Sequence, residues 1–212
     1  MKIPEVITNF VWCTIVAIGF YGHPSVLHAD AVWPPQLNKL YPEMEFIDQA
    51  GDKLKLSDFK GKVIVVEYVG MNCPACQSLS GADNPKIGPF EGNDTQKGLW
   101  TLDESFKYYT SGISLFDDRI VFIQILLYDM KMGAPTPDDA KRWAKHFGFS
   151  KAKHRYVAVP PWDLRNNDSY NLIPGCHLVD KNLILRADSA GHSPKHNFQT
   201  YFLPMVPELL KE

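Results

Sequence analysis

A buried-strand pattern that leads directly into a closely spaced cysteine pair is the feature that most constrains the fold of this sequence. Residues Val63 to Val69 form a nearly unbroken β-branched and apolar run, which is typical of a strand covered on both faces of a sheet. The run stops at Gly70, and Cys73-Pro74-Ala75-Cys76 follows, with a proline suited to an early helical position and Gly81 suited to a helix end. The sequence therefore predicts a central strand, a turn and a short helix that begins at the cysteine pair.

The position of Cys73 at the start of a helix indicates what the cysteine pair does. Unpaired backbone N–H groups and the positive end of the helix dipole meet there, and both stabilise a thiolate. A thiol with a lowered pKa is a nucleophile at neutral pH, and a second thiol one turn along can close a disulfide ring. We therefore predict that Cys73 attacks and that Cys76 resolves. The alternative is half of a structural zinc site, for which only the adjacent pair Cys176-His177 offers further ligands.

Glu67 is the third candidate for chemistry, because it interrupts the apolar strand shortly before Cys73. Burial raises the pKa of a carboxyl group, so a buried Glu67 would remain protonated near neutrality and exchange a proton with Cys76. In the alternative interpretation, Glu67 faces solvent at a sheet edge or pairs with a lysine.

The rest of the sequence alternates between strand and helix patterns. We expect a β-hairpin over 44–48 and 54–56, and an insertion over 82–119 that contains a helix over 102–110. A strand over 120–128 should follow, and then a helix that is capped at Thr136 and closed at Gly148. Further strands are expected over 156–159, 175–179 and 183–186, and a C-terminal helix should begin at Phe198 and be kinked or split by Pro204 and Pro207. This order predicts a three-layer α/β arrangement with a mixed sheet.

The stretch from Phe46 through Leu56-Ser57-Asp58-Phe59-Lys60-Gly61-Lys62 to the cysteine pair resembles the TlpA/ResA-like branch of the thioredoxin superfamily, which overlaps the redoxin and peroxiredoxin group. The resemblance extends from roughly residue 40 to the C-terminus. It implies a thioredoxin-like three-layer α/β/α sandwich with an N-terminal β-hairpin and an insertion after the first active-site helix. Asn72 departs from the family, which usually has tryptophan before the first cysteine.

The resemblance also assigns roles near the second half of the site. Ile173-Pro174-Gly175-Cys176-His177 matches the family's strand that begins with a cis-proline, whereas a proline before a strand is otherwise as often trans. It implies that Pro174 is cis and packs beside the cysteine pair, and that the backbone of Ile173 pairs with bound substrate. Pro74 and Ala75, between the cysteines, are the other expected substrate contacts.

The first 31 residues predict an export signal. Lys2 precedes an apolar run from Phe10 to Phe20, and Ala29-Asp30-Ala31 offers a small-residue cleavage site. Cleavage there would leave a domain over 32–212 in the periplasm or secreted. The alternative is an uncleaved anchor, because Glu5 weakens the basic end of the signal, and we expect membrane contact only in that case.

Charge and cysteine content exclude several classes of function. The net charge is -2 and the basic residues are scattered, so the chain lacks the basic stripe that nucleic-acid binding needs. Three cysteines remain after residue 31, which is not the even, dense set of a disulfide-held scaffold. We expect no cofactor and no resident metal.

These observations predict an exported thiol–disulfide oxidoreductase that acts on protein thiols and disulfides together with an upstream redox partner, with reduction favoured over oxidation. One alternative is a thiol peroxidase, although Gly70 stands where such sites want a hydroxyl residue. The other is a non-catalytic copper-delivery protein that uses the cysteine pair with His177 or His192. We interpret Cys176 as a small buried residue, with a redox or intermolecular role as the alternative, and His177 as a packed or surface residue.

Overall fold

The computed structural model describes residues 33–212, so the predicted export signal lies outside the described residues. No helix within this range is long and apolar enough to cross a membrane. The strands are β1 (Phe46–Asp48), β2 (Lys53–Leu54), β3 (Val63–Gly70), β4 (Ile120–Tyr128), β5 (Arg155–Val159), β6 (Gly175–Val179) and β7 (Leu185–Ala190). The helices are α1 (Pro74–Ser80), α2 (Leu102–Tyr109), α3 (Pro137–Phe147), α4 (Asn167–Tyr170) and α5 (Leu203–Lys211), with a π-helical turn over Phe198–Phe202.

The strands form one mixed sheet in the order β2-β1-β5-β4-β3-β6-β7. The central strands β5, β4 and β3 are parallel, whereas β1, β6 and β7 pair antiparallel with their neighbours. Every residue of β3 and β4 is buried, as the continuous apolar runs predict. The predicted N-terminal hairpin is present as β1 and β2.

Both faces of the sheet are covered. On one face, Ser80 of α1 and Trp143 of α3 form hydrogen bonds with Gln124 of β4. On the other face, the ring of Trp33 packs edge-on against Tyr68 of β3, and its indole N–H donates to Ser169 of α4. The predicted layered α/β arrangement is therefore present in the described residues.

Local signals account for the helix bounds. In α1, Pro74 occupies the first turn and Gly81 ends the helix in the left-handed conformation, with φ of 110°. In α3, Thr136 and Asp139 form a capping box, and Gly148 ends the helix with φ of 72°. The insertion joins α1 to β4 and contains α2, whose N-terminus is capped by Thr101.

Three elements of the structure differ from the prediction. The strand predicted over 183–186 is β7 over Leu185–Ala190, because the Asp180 carboxylate accepts the N–H groups of Asn182 and Ile184 and lengthens the turn. The four-residue helix α4 was not predicted, since it is too short to show a period. The C-terminal helix changes from π-helical to α-helical geometry at Leu203, but Pro207 lies inside α5 without ending it.

A backbone contact beside the site makes Gly191 a sensitive position. Gly191 has φ of +75°, and a Cβ atom placed there would lie 1.7 Å from the carbonyl oxygen of Asn171. We expect Gly191→Ala to lower the free energy of unfolding by more than about 3 kcal/mol, because left-handed strain and a backbone clash act together. Gly148→Ala is the control: its φ is +72° but no atom lies within 4 Å of the added Cβ, so it should cost about 1 kcal/mol. Urea denaturation measures both, and equal losses would contradict this packing.

Candidate active site

The cysteine pair lies at the first turn of α1, directly after the end of β3. Cys73 is the N-cap residue, and its sulfur accepts the backbone N–H of Cys76 at 3.3 Å. The N–H of Cys73 in turn donates to the carbonyl of Gly70, so the turn between strand and helix is closed by hydrogen bonds at both ends. Both thiols are free, Cys73 is half-buried and Cys76 is buried.

The two thiols differ in acidity because their surroundings differ. The pKa of Cys73 is lowered to about 7, chiefly because the Cys76 thiol donates a hydrogen bond to it, with the N–H groups of Cys76 and Ala75 assisting. Burial raises the pKa of Cys76 well above its usual value, and the Cys73 sulfur and the Glu67 charge raise it further. The half-buried sulfur of Cys73 therefore ionises more readily, and the buried sulfur of Cys76 holds its proton.

Glu67 is fully buried in the middle of β3, so the alternative of a solvent-facing edge position is wrong. Burial raises its pKa to about 8, against the opposing effect of a hydrogen bond from Gln124. Gln124 Nε2 donates to Glu67 Oε2 at 2.6 Å, and Glu67 Oε1 is enclosed without a hydrogen-bond partner. A carboxyl group with this pKa can both give and take a proton near neutral pH.

The sheet register places the third cysteine beside this carboxyl group. Cys176 of β6 lies opposite Glu67 in an antiparallel pair, and Gln124 of β4 lies opposite Glu67 on the other side. Cys176 is buried, and burial together with the Glu67 charge raises its pKa well above the usual value. Its thiol therefore remains protonated, which is consistent with a packing residue.

The Ile173–Pro174 peptide bond is cis, as the resemblance implied. Both residues line the same cleft as Cys73. The N–H of Ile173 donates to the carbonyl of Tyr170, and the carbonyl of Pro174 accepts the N–H of Gly191. Because its N–H is already bonded within the chain, Ile173 has only its carbonyl to offer a substrate backbone.

A cleft of about 630 Å³ opens at Cys73. Leu99 and Leu102 of the insertion and Phe198 of the π-helical turn form apolar parts of its wall, and Pro74 and Ala75 also line it. Asn72, Gln96, Ser189 and His192 add polar groups. The described residues that line this cleft include no lysine, arginine, aspartate or glutamate, so the cleft carries no fixed charge.

Gln77 of α1 was missed by the sequence analysis. Its side chain is fully buried, its amide nitrogen donates to the carbonyl of Met71, and its amide oxygen accepts the N–H of Phe90. Gln77 therefore connects the insertion, through Phe90, to the turn before the cysteines, through Met71. The only available signal was a polar residue directly after the second cysteine, and such residues are common on helices.

His177, which the copper alternative used, lies on the opposite face of the sheet from Glu67. Its Nδ1 is 2.9 Å from the Tyr68 hydroxyl, and its Nε2 is 3.2 Å from Asp188. Burial lowers the pKa of His177, so the ring is neutral. His192 lines the cleft instead. Across residues 33–212, no group of three or more His, Cys, Asp and Glu side chains is placed to hold a metal ion.

Comparison with solved structures identifies the architecture. A candidate electron transfer protein from Aquifex aeolicus is 15% identical and matches 83% of this chain and 97% of its own, with a TM-score of 0.51. A candidate protein disulfide isomerase from Bacteroides thetaiotaomicron is 13% identical, over 86% and 94% of the two chains, with a TM-score of 0.52. A member of the Sco family of cytochrome c oxidase assembly proteins, described as having a disulfide switch, is 12% identical over 82% and 95%, also at 0.52.

The chain has a thioredoxin-like fold. The predicted fold class is therefore confirmed. No protein-family model matches the sequence, and no curated protein matches it. At identities of 12% to 15%, the likeness to these structures shows the fold alone.

The buried carboxyl of Glu67 should make the stability of this thioredoxin-like fold depend on pH. Its pKa is raised from 4.5 to about 8. The contribution of Glu67 to the free energy of unfolding is therefore fully present below pH 4.5 and is lost as the pH rises towards 8. We expect the free energy of unfolding of the reduced protein to fall, between pH 5 and 8, by on the order of 4 kcal/mol more than that of Glu67→Gln. Urea denaturation at several pH values measures the difference.

Glu208→Gln is the matched control, since Glu208 is exposed on α5 and the substitution should leave the pH dependence of the wild type in place. If Glu67→Gln and the wild type follow parallel curves from pH 5 to 8, the carboxyl is not held in the buried, protonated state described above.

Proposed function

We propose that this chain is an exported thiol–disulfide oxidoreductase in which Cys73 is the nucleophile and Cys76 the resolving thiol. One observation carries the proposal: the half-buried sulfur of Cys73 is acidic, whereas the sulfur of Cys76 one helical turn below is buried and protonated. This difference separates the attacking group from the resolving group. The cis-proline beside the cleft and the thioredoxin-like fold support the same chemistry.

The reaction proceeds in two steps of thiol–disulfide exchange. The Cys73 thiolate attacks one sulfur of a substrate disulfide, a bond forms between them, and the other substrate sulfur leaves as a thiolate. Cys76 then loses its proton and attacks Cys73, and the second substrate sulfur leaves. The substrate disulfide is reduced to two thiols, and the enzyme is oxidised by two electrons to a Cys73–Cys76 disulfide.

Glu67 serves as the general base of the second step. Cys76 is buried and protonated, so its sulfur needs a base within the protein. The Glu67 carboxyl is electrostatically coupled to both thiols of α1 and titrates near pH 8. Its carboxylate form accepts the Cys76 proton as the Cys76 sulfur attacks.

The direction of exchange follows from the acidity of Cys73. Strongly oxidising enzymes of this fold stabilise the reduced thiolate and have a nucleophile pKa of about 3.5, whereas reducing ones have about 7. The pKa of Cys73, lowered to about 7, favours a reductant. An upstream redox partner would return the Cys73–Cys76 disulfide to the dithiol.

The cleft fits a protein thiol or disulfide as substrate. Its largely apolar walls, which hold no lysine, arginine, aspartate or glutamate among the described residues, favour neutral segments of polypeptide over small charged thiols. Pro74 and Ala75 would contact the segment that carries the substrate sulfur, and the carbonyl of Ile173 would accept one of its backbone N–H groups. In this proposal residues 1–31 are the export signal, residues 32–212 form the redox domain with an insertion over 82–119, and the work is done in the periplasm or outside the cell.

Exchange should depend on the two cysteines of α1 in different ways. Cys73→Ser is expected to reduce the insulin-reduction rate to background, because no thiolate forms at the cleft. Cys76→Ser should still capture substrate and accumulate a mixed disulfide at Cys73, detectable by mass spectrometry. Cys176→Ala is the matched control and should retain turnover, since its thiol is buried and protonated. Turnover by Cys73→Ser would rule out the proposed nucleophile.

A further inference from the structure

A chain of buried side chains connects α3 to the Glu67 carboxyl. The indole Nε1 of Trp143 donates to Gln124 Oε1 at 2.8 Å. The Nε2 of Gln124 donates to Glu67 Oε2 at 2.6 Å and to Ser80 Oγ at 2.8 Å. Trp143, Gln124 and Glu67 are all fully buried, so no solvent competes for these bonds.

The hydrogen bond from Trp143 fixes the orientation of the Gln124 amide. An indole nitrogen can only donate, so the amide atom that faces Trp143 must be the oxygen. Both amide hydrogens then point away from Trp143, one towards Ser80 and one towards Glu67. An amide turned the other way would place two donors against each other at Trp143.

The fixed amide in turn distinguishes the two oxygens of Glu67. Oε2 accepts a hydrogen bond from Gln124, and a carboxyl oxygen that carries its own proton is a weaker acceptor, so this bond favours the proton on the other oxygen. Oε1 has no hydrogen-bond partner among the described residues and is free to carry the proton. We propose, as an extension of the exchange function above, that Trp143 and Gln124 are positioning residues that keep the mobile proton of Glu67 on Oε1, where it is exchanged with Cys76.

The ionisable groups around Glu67 come from three elements. Electrostatic effects couple its carboxyl to Cys73 and Cys76 of α1, to Cys176 of β6 and to Arg155 of β5. The effect of Arg155 is the smallest of those that act on Glu67, and its guanidinium stacks on Phe116 and Phe149. Of these groups, Cys76 is the buried, protonated thiol that must lose its proton in the resolving step, and in this proposal Glu67 accepts that proton.

The proton balance of the resolving step is simple. The Cys76 S–H bond breaks, the proton moves to Oε1 of the Glu67 carboxylate, and the Cys76 sulfur forms a bond to Cys73 as the substrate thiolate leaves. Gln124 remains bonded to Oε2 throughout. The proton therefore enters and leaves by one oxygen without rotation of the carboxyl group.

Infrared difference spectroscopy of the reduced full-length chain tests the positioning. The C=O band of protonated Glu67, assigned by its disappearance in Glu67→Gln, should lie at a low wavenumber because Oε2 accepts a hydrogen bond. Trp143→Phe keeps an aromatic ring but releases the Gln124 amide, and we expect the Glu67 band to move.

The same variant should slow the resolving step at pH 7 by about tenfold, the size expected for one buried hydrogen bond. Gln124→Met removes the amide at similar volume and should shift the band to higher wavenumber.

Phe147→Leu is the matched control. The Phe147 ring packs on Trp143 with centroids 4.6 Å apart but takes no part in the hydrogen-bonded chain. The variant should lose stability while leaving the Glu67 band and the pH profile of the resolving step at their wild-type positions. An unmoved band and profile in Trp143→Phe, or an equal shift in Phe147→Leu, would overturn the positioning role.

The band requires no substrate, so this test is separate from that of the proposed function. A wild-type protein that does not reduce insulin, but whose band moves in Trp143→Phe and stays in Phe147→Leu, would refute the exchange function and support the placement of the proton on Oε1. Wild-type turnover with an unmoved band in Trp143→Phe would support the exchange function and refute the placement of the proton on Oε1.

Discussion

The hydrogen bond from the Cys76 N–H to the Cys73 sulfur is the interaction on which the rest of the site depends. It forms because a fully buried strand ends at Gly70 and a helix begins at Pro74, leaving Cys73 as the N-cap. At an N-cap, backbone N–H groups that have no partner within the helix are available to a sulfur anion. The strand and the helix exist for reasons of packing, and their junction brings both the thiol and the N–H of Cys76 to the Cys73 sulfur, which lowers the pKa of Cys73.

The same junction places an acidic thiol, a protonated thiol and a carboxyl group close together. Burying Glu67 costs stability, and its single hydrogen bond from Gln124 offsets only part of that cost. A group retained in spite of such a cost has a use that a valine at the same position would not serve. Proton exchange with Cys76 is such a use, because no solvent reaches the Cys76 sulfur.

The sequence predicted the core of this arrangement from short-range signals. The apolar run, Pro74 and Gly81 gave the strand and the helix, and the interruption of the run at Glu67 gave the buried carboxyl. Gln124 interrupts β4 in the same way, but its role depends on the register between β3 and β4 and on Trp143 from a third element. The engaged N–H of Ile173 and the cleft walls from the insertion likewise depend on contacts between distant segments, which no local pattern encodes. The cis state of Pro174 followed from the family resemblance and not from the residues.

The most direct test of this account is the pH dependence of alkylation of the reduced protein by iodoacetamide, followed at each cysteine by mass spectrometry. Cys73 should react with a half-maximal rate near pH 7, while Cys76 remains largely unmodified over the same range because its thiol is buried and protonated. A Cys73 that titrates at the value of a free cysteine, about 8.5, or a Cys76 that reacts as readily as Cys73, would contradict the account.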